Sequence, residues 1–276
     1  RIYPQGRLTA HIVGRAGFDD VGLSGIEKSF DSMLRDGSDP LRLSIDVRIQ
    51  HILREELQTQ IDAFDGIGAA GIVMDVNTSE IVAMISLPDF DPNRRDKISS
   101  DAVFNRATLG VYEMGSTFKI FNTAMALDYG TTTLHNGYDA SKPIRVARFT
   151  INDDHAKNRW LSVPEIFMYS SNIGSVKMAM DVGGERQQAF MKKLGFLDSS
   201  AIELPERGHP LVPNPWRPIN TMTISFGHGI AVSPIQLANG VSSIVNGGVR
   251  HPATLLRRDS TELLVGERVI SEETSL

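Results

Sequence analysis

Residues 69–76 and 81–86 are two compact apolar runs on either side of the polar turn Asn77-Thr78-Ser79-Glu80. Short apolar runs bounded by turn residues read as strands, so this stretch is expected to fold as a hairpin. Upstream, residues 41–46 alternate apolar and polar side chains in the manner of a half-buried strand. Residues 47–64 then place Ile49, Ile52, Leu53, Leu57 and Ile61 at helical spacing. Downstream, the apolar-rich residues 120–129 read as a further helix that Gly130 stops. Strands that precede a helix and share a core with it specify an α/β (α+β) architecture rather than a helical bundle.

The remaining chain is organised around that centre. Residues 1–40 are rich in Gly, Arg and Asp and show little periodicity beyond a short helix expected over 26–34. They read as the end of a preceding module and a linker, with residues 41–276 as the main domain. Pro88, Pro92 and the charged run Arg94-Arg95-Asp96-Lys97 mark a surface loop, and residues 131–161 alternate only weakly. Ser162-Val163-Pro164-Glu165 is a capping box with proline near the first helical position. That helix runs into Tyr169-Ser170-Ser171-Asn172, and a second begins near Ile173. A third is expected over 185–194, closed by Gly195. Five of the 13 prolines fall within 205–218, an irregular surface excursion. Ile224-Ser225-Phe226-Gly227-His228-Gly229 is a glycine-punctuated turn, and Ser233-Pro234 opens a helix to about Val245. Asn246-Gly247-Gly248 turns into 249–256, and 271–276 begin another helix.

Composition narrows the chemistry. A net charge of −5 without a long basic run leaves no electrostatic footprint for nucleic acid. The absence of cysteine excludes disulfides, a thiol nucleophile and thiolate-held metal. The seven histidines contain no H-E-x-x-H or similar spacing, so neither a metal nor another cofactor is expected. No apolar run approaches the roughly 20 residues that span a bilayer, and Arg1-Ile2-Tyr3-Pro4 does not look like a signal peptide. A membrane anchor is expected only outside this sequence.

The reactive candidate is Ser116, in Tyr112-Glu113-Met114-Gly115-Ser116-Thr117-Phe118-Lys119. If Ser116 opens a helix, Lys119 projects from the same face three residues on. A serine hydroxyl needs a base, and lysine becomes one when burial lowers its pKa. The helix start adds N–H groups suited to a developing oxyanion. Taken alone, the pair reads first as a serine N-cap followed by an exposed lysine. Asp153-Asp154-His155 reads either as acid/base machinery or as a solvated loop near Lys157 and Arg159. Ser170 and Asn172 either point into a cleft or cap the second helix.

Ser-x-x-Lys at 116–119 followed by Ser-x-Asn at 170–172 is the motif pair of penicillin-binding proteins and class A β-lactamases. The sequence around Ser116 resembles class B penicillin-binding proteins over nearly the whole chain. So do Gly22-Leu23-Ser24-Gly25-Ile26-Glu27, Val73-Met74-Asp75-Val76 with Ile81-Val82-Ala83-Met84, Ser170-Ser171-Asn172-Ile173-Gly174 and Ser225-Phe226-Gly227-His228-Gly229. Phe118 within the motif and Asn105-Arg106-Ala107 before it are closer to the cell-division (FtsI) type than to the elongation branch. Met114 stands where many members carry proline, and Ser79 where glycine is frequent. The family's Lys-Thr-Gly motif is absent, and is expected on a strand downstream of Leu276.

This resemblance implies a penicillin-binding-protein/serine β-lactamase-like transpeptidase fold, a central antiparallel sheet flanked by helices, incomplete at the C-terminus. It implies a peptidoglycan D,D-transpeptidase in which Ser116 is the nucleophile and Lys119 the general base. Ser170 then relays a proton, and Asn172 binds substrate and orients Lys119. The expected oxyanion hole uses the Ser116 N–H and one from the downstream strand. Partners implied are D-Ala-D-Ala stem peptides, β-lactams, a septal glycosyltransferase and other division proteins, at the bacterial inner membrane with this domain in the periplasm. The alternatives are an elongation-branch transpeptidase, a non-catalytic penicillin sensor or scaffold, and a β-lactamase, disfavoured because no Glu-x-x-x-Asn follows Asn172.

Overall fold

The computed structural model describes residues 1–37, 39–94, 98–259 and 265–276. The hairpin forms from strands Ala69–Met74 and Ile81–Leu87, antiparallel, with Ala69 opposite Leu87 and Ile72 opposite Met84. Ser79 in its turn is buried in the left-handed conformation, φ 57°. That conformation explains why glycine suits the position. Here Asn239 donates to the Ser79 hydroxyl at 3.3 Å, and the Ser79 carbonyl accepts from Thr254 N–H at 3.1 Å.

Helix Val47–Phe64 packs on this hairpin after the Asp46 carboxylate caps it by accepting from Arg48 N–H. A Cβ at Gly71 would sit 2.9 Å from Leu53 and from Leu57, so the glycine lets helix and strand approach. The expected stripe needs one correction: Ile52 is 61% exposed, and the inward face holds the buried Gln50 instead. Gln50 Nε2 donates to the carbonyls of Leu8 (2.8 Å) and Met84 (2.7 Å), while its Oε1 accepts from Met84 N–H at 2.8 Å. One amide thus ties the helix, the hairpin and the N-terminal segment together.

That segment shows little periodicity, yet Ile12 and Ile26 are buried in one cluster with Ile81, Met84 and Leu255. Two short helices, Gly25–Ser29 and Asp31–Asp36, replace the single one expected over 26–34. Of the charged loop run, Arg95, Asp96 and Lys97 lie outside the described residues.

The second and larger cluster is helical. Helices Lys119–Asp128, Val163–Met168, Asn172–Val182, Gly184–Lys193 and Pro234–Val245 surround or border Phe118, Phe121, Met178, Met191 and Phe196. The weakly alternating stretch forms strands Gly137–Asp139, Ile144–Val146, Phe149–Ile151 and Trp160–Ser162, in antiparallel pairs. The proline-rich excursion ends in a helix not anticipated from sequence, Pro218–Ile224, for which Pro218 serves as first residue. Of residues 249–256 only Val249–Arg250 is a strand, paired with Glu267–Arg268. Among the described residues the hairpin is one of five two-stranded sheets rather than part of one central sheet. Isolated bridges join Glu80 to Thr254 and Leu43 to Leu256, the latter being all that forms of the strand expected over 41–46. The whole is a mixed α/β structure with mostly antiparallel pairing. No described helix is long and apolar enough to cross a membrane.

Replacing Gln50 by leucine would leave one buried N–H and two carbonyls unpaired, a loss of about 2–4 kcal/mol. Urea unfolding of Gln50→Leu is expected to show a lower midpoint with unchanged slope; an unmoved midpoint would show that these bonds add nothing net.

Candidate active site

The nucleophile loop is fixed by backbone before any side chain acts. Tyr112 exchanges two hydrogen bonds with Val232 (2.9 and 3.0 Å), and Glu113 Oε1 accepts from Gly229 N–H at 2.7 Å. Gly115, at φ 57°, donates to the Gly227 carbonyl at 3.2 Å. Gly227 has φ 80°, and a Cβ there would lie 2.0 Å from the Gly115 carbonyl oxygen. Gly227 therefore lets two backbones touch, which the sequence registered only as a turn.

Residues Gly115–Phe118 form a tight 3-10 turn that continues as helix Lys119–Asp128. Ser116 consequently sits one turn before the α-helix rather than opening it. Phe118 points the other way, into a ring cluster with Phe121 (5.5 Å) and Phe196 (5.4 Å). Burying Phe118 fixes the turn's rotation and leaves Ser116 exposed above Lys119, which is 3% exposed. Met114 packs partly against the same core, so the position filled by proline in many relatives contributes apolar contact here.

Lys119 Nζ lies 2.9 Å from Ser116 Oγ, 2.8 Å from Ser170 Oγ, 2.6 Å from the Ser170 carbonyl and 2.7 Å from Asn172 Oδ1. Ser170 Oγ is also 3.1 Å from Ser116 Oγ. All four residues singled out from sequence meet at one nitrogen. Burial pushes the Lys119 pKa down to about 8, against a smaller upward pull from the Asp153 and Asp154 charges. A proton on Ser116 then has a short route to a nitrogen that is partly neutral near physiological pH, with a second hydroxyl beside both. That arrangement can deprotonate a serine for attack on a carbonyl and return the proton to a leaving group.

Ser170 has φ 55°, a left-handed conformation uncommon for a non-glycine residue. It presents both its carbonyl and its hydroxyl to Lys119. Neither Ser170 nor Asn172 caps the following helix; Ser171 does, its hydroxyl accepting from Gly174 N–H at 3.0 Å. The solvated-loop reading of Asp153-Asp154-His155 holds for the exposed Asp154 and His155 and fails for Asp153. The Asp153 carboxylate accepts from Ser171 O–H (2.8 Å) and Ile173 N–H (2.9 Å). Sequence reasoning passed over the anchoring role of Asp153, the cap at Ser171 and the Asn152 carbonyl, which accepts from Asn172 Nδ2 at 2.8 Å. The Asp153-Asp154-His155 cluster after strand Phe149–Ile151 was the one local signal. Among the described residues, no group of three or more His, Cys, Asp or Glu side chains is placed to hold a metal ion.

A serine beside a buried lysine, with a hydroxyl and an amide from a second helix junction, is an arrangement suited to acyl transfer, set on a mixed α/β scaffold. The chain belongs to the penicillin binding protein transpeptidase domain family, which matches residues 69–275. It is 39% identical to the probable peptidoglycan D,D-transpeptidase FtsI of Caulobacter vibrioides, over 100% of this chain and 47% of that protein. The transpeptidase domain of Burkholderia pseudomallei penicillin-binding protein 3 superposes with a TM-score of 0.76 at 29% identity, covering 85% of this chain and 67% of that one. Penicillin-binding protein 3 of Mycobacterium tuberculosis gives a TM-score of 0.88 at 24% identity, over 100% of this chain and 66% of that one, a likeness of fold. The chain spans about half the length of the curated relatives it matches.

Two predictions follow from this geometry. With neutral Lys119 as the base, the rate of Ser116 acylation by a fluorescent penicillin should rise about tenfold per pH unit below about 8 and level off above it. A profile flat from acid to alkaline pH would exclude Lys119 from that role. Gly227→Ala should push the Gly115 carbonyl away and slow acylation by well over tenfold, because small displacements of a nucleophile carry large rate effects. Wild-type acylation by that variant would show that the backbone contact is dispensable.

Proposed function

We propose that the protein is a peptidoglycan D,D-transpeptidase of the cell-division type. The observation that carries this reading is the convergence of Ser116 Oγ, Ser170 Oγ and Asn172 Oδ1 on Lys119 Nζ within 2.9 Å. The family match and the identity to a protein named as FtsI support the substrate class and the division branch.

In this reading Ser116 Oγ attacks the carbonyl of the penultimate D-Ala in a stem peptide as its proton passes to Lys119 Nζ. The tetrahedral intermediate collapses by breaking the D-Ala-D-Ala amide bond. The departing amine takes a proton from Lys119 through Ser170 Oγ and leaves as D-Ala. An amine of a neighbouring stem peptide then attacks the Ser116 ester, gives up its proton along the same path and forms the cross-link. Asn172 holds Lys119 through Oδ1 and lies at the cleft, where it orients the substrate amide. The oxyanion receives the Ser116 N–H and a donor from a strand beyond Leu276. One such donor lowers the barrier by about 3–4 kcal/mol in a serine protease. β-Lactams acylate Ser116 in place of the peptide.

Residues 1–40 are assigned to the end of an N-terminal module and its linker, and 41–276 to the penicillin-binding domain. The domain acts outside the cytoplasmic membrane. There it works with a septal glycosyltransferase and other division proteins. The packing of Ile12 and Ile26 against the hairpin supports a rigid join between the two parts.

Full-length protein incubated with fluorescent penicillin should carry one covalent label that Ser116→Ala abolishes. With synthetic stem peptide it should release D-Ala and form cross-linked dimer. Labelling without release or cross-linking would convert the assignment to a penicillin sensor, and rapid penicillin hydrolysis to a β-lactamase.

A further inference from the structure

The pair Asn152-Asp153 follows the strand Phe149–Ile151 and passes beside the start of helix Asn172–Val182. It touches neither Ser116 nor the Lys119 nitrogen in the hydrogen-bond network. It holds the residue between and the residue after the two that do. Ser171 Oγ donates to Asp153 Oδ2 at 2.8 Å and accepts from Gly174 N–H at 3.0 Å, so the hydroxyl's orientation is fully determined. Asp153 Oδ1 accepts from Ile173 N–H at 2.9 Å. Next to it, the Asn152 carbonyl accepts from Asn172 Nδ2 at 2.8 Å, which decides the sense of that amide and turns Oδ1 to Lys119.

The conformation held in this way is not one the segment would choose. Ser170 at φ 55° is in a region that costs a non-glycine residue of order 1–3 kcal/mol and persists when its surroundings over-determine it. Ser171, one residue on, is 1% exposed and anchored by a carboxylate at a helix N-terminus, where a negative charge is favoured. We infer that Asp153 is a positioning residue for acyl transfer: it clamps Ser171 and the start of the following helix so that Ser170 and Asn172 face Lys119. The inference rests on the transpeptidase reading of the site.

The charged groups around Lys119 limit what else could set its basicity. Glu113, in the loop before the Gly115–Phe118 turn, is exposed and engaged with Gly229 N–H. Lys157 lies over the Tyr169 ring at 4.5 Å, and His228 belongs to the exposed part of the glycine-rich turn. Lys177, on the second helix, donates to the Asp139 carbonyl. Asp153 and Asp154 are the charges that act on the Lys119 ammonium, both favouring it. Asp154 is exposed and screened; Asp153 is half-buried and lies on the clamp itself.

The test uses full-length protein and the acylation rate constant with fluorescent penicillin across pH. Asp153→Asn keeps the size of the side chain and removes the charge. It should lower the alkaline plateau by about tenfold or more and move the acid limb to lower pH, because Lys119 loses a favourable negative neighbour. A merely structural role would lower the plateau and leave the limb in place. Asp153→Glu, which keeps the charge and displaces the carboxylate, should lower the plateau and leave the limb unmoved. If Asp153→Asn fails a thermal melt, Asp153→Ser, which also removes the charge, is read for the same shift of the limb; an unmoved limb there, or a wild-type plateau in Asp153→Glu, overturns the inference. Asp153→Asn with unaltered plateau and limb overturns it as well. Failure of the transpeptidase reading looks different: wild-type protein would then not label, or would still label as Ser116→Ala.

Discussion

The site depends on putting one lysine amine out of water. Lys119 is 3% exposed, and a charged ammonium in that position is stable only if oxygens replace its hydration. The oxygens come from Ser116, one turn earlier, and from Ser170 and Asn172, more than fifty residues later. They assemble only when helices Lys119–Asp128 and Asn172–Val182 pack on the shared core of Phe118, Phe121 and Met178. Folding thus builds the solvent shell of the amine. The result is a nitrogen with four oxygens around it and, as an ammonium, three protons to share. With a pKa of about 8, roughly one molecule in ten carries the neutral amine at pH 7. Burial and the two aspartates pull in opposite directions, and burial is the larger effect.

The same surroundings carry unfavourable backbone conformations. Gly115 and Gly227 have positive φ and touch through their main chains; Ser170 has positive φ without being glycine. At the first two positions the absence of a Cβ solves the problem. At Ser170 a side chain is required because its hydroxyl belongs to the network, so the strain has to be offset by the neighbouring clamp. Ser79 in the hairpin turn is a structural parallel: also left-handed and also hydrogen-bonded, through Asn239, though buried where Ser170 is exposed. In both places a serine stands in glycine's conformation where its oxygen has a partner.

Much of this was legible in the sequence, and what was not has identifiable causes. The hairpin, the long helix, the capping box at Ser162 and the helix from Pro234 follow from local periodicity and cap chemistry, and all appear where expected within a residue or two. Ser116, Lys119, Ser170 and Asn172 were legible because two spaced motifs constrain each other. Gln50 was missed because a polar residue on the inward face breaks the apolar pattern, and its partners, Leu8 and Met84, are remote in sequence. Ile52 was misread for the complementary reason: it sits at helical spacing on a face that is open. Asp153 looked like one of several charges in a polar loop, since nothing local distinguishes a carboxylate that will meet a helix start from one that meets water. The burial of Ile12 and Ile26 was hidden by a glycine-rich, aperiodic segment whose core is supplied by the hairpin.

The spacing of Ser170 and Asn172 has a physical explanation that turns on the residue between them. Ser171 is the cap of helix Asn172–Val182 and has the extended conformation of a cap, φ −67° and ψ 119°. Ser171 alone is extended, between the left-handed Ser170 and the first helical residue Asn172. With Ser171 turned inward to Asp153 and Gly174, its two neighbours are turned to the cleft. A cap one residue earlier would put Ser170 on the Asp153 side; one later would withdraw Asn172. A capped helix start supplies three of the four acceptors around Lys119 Nζ, from the two residues either side of the cap. The middle serine never approaches the nucleophile, yet it decides which way both of its neighbours face.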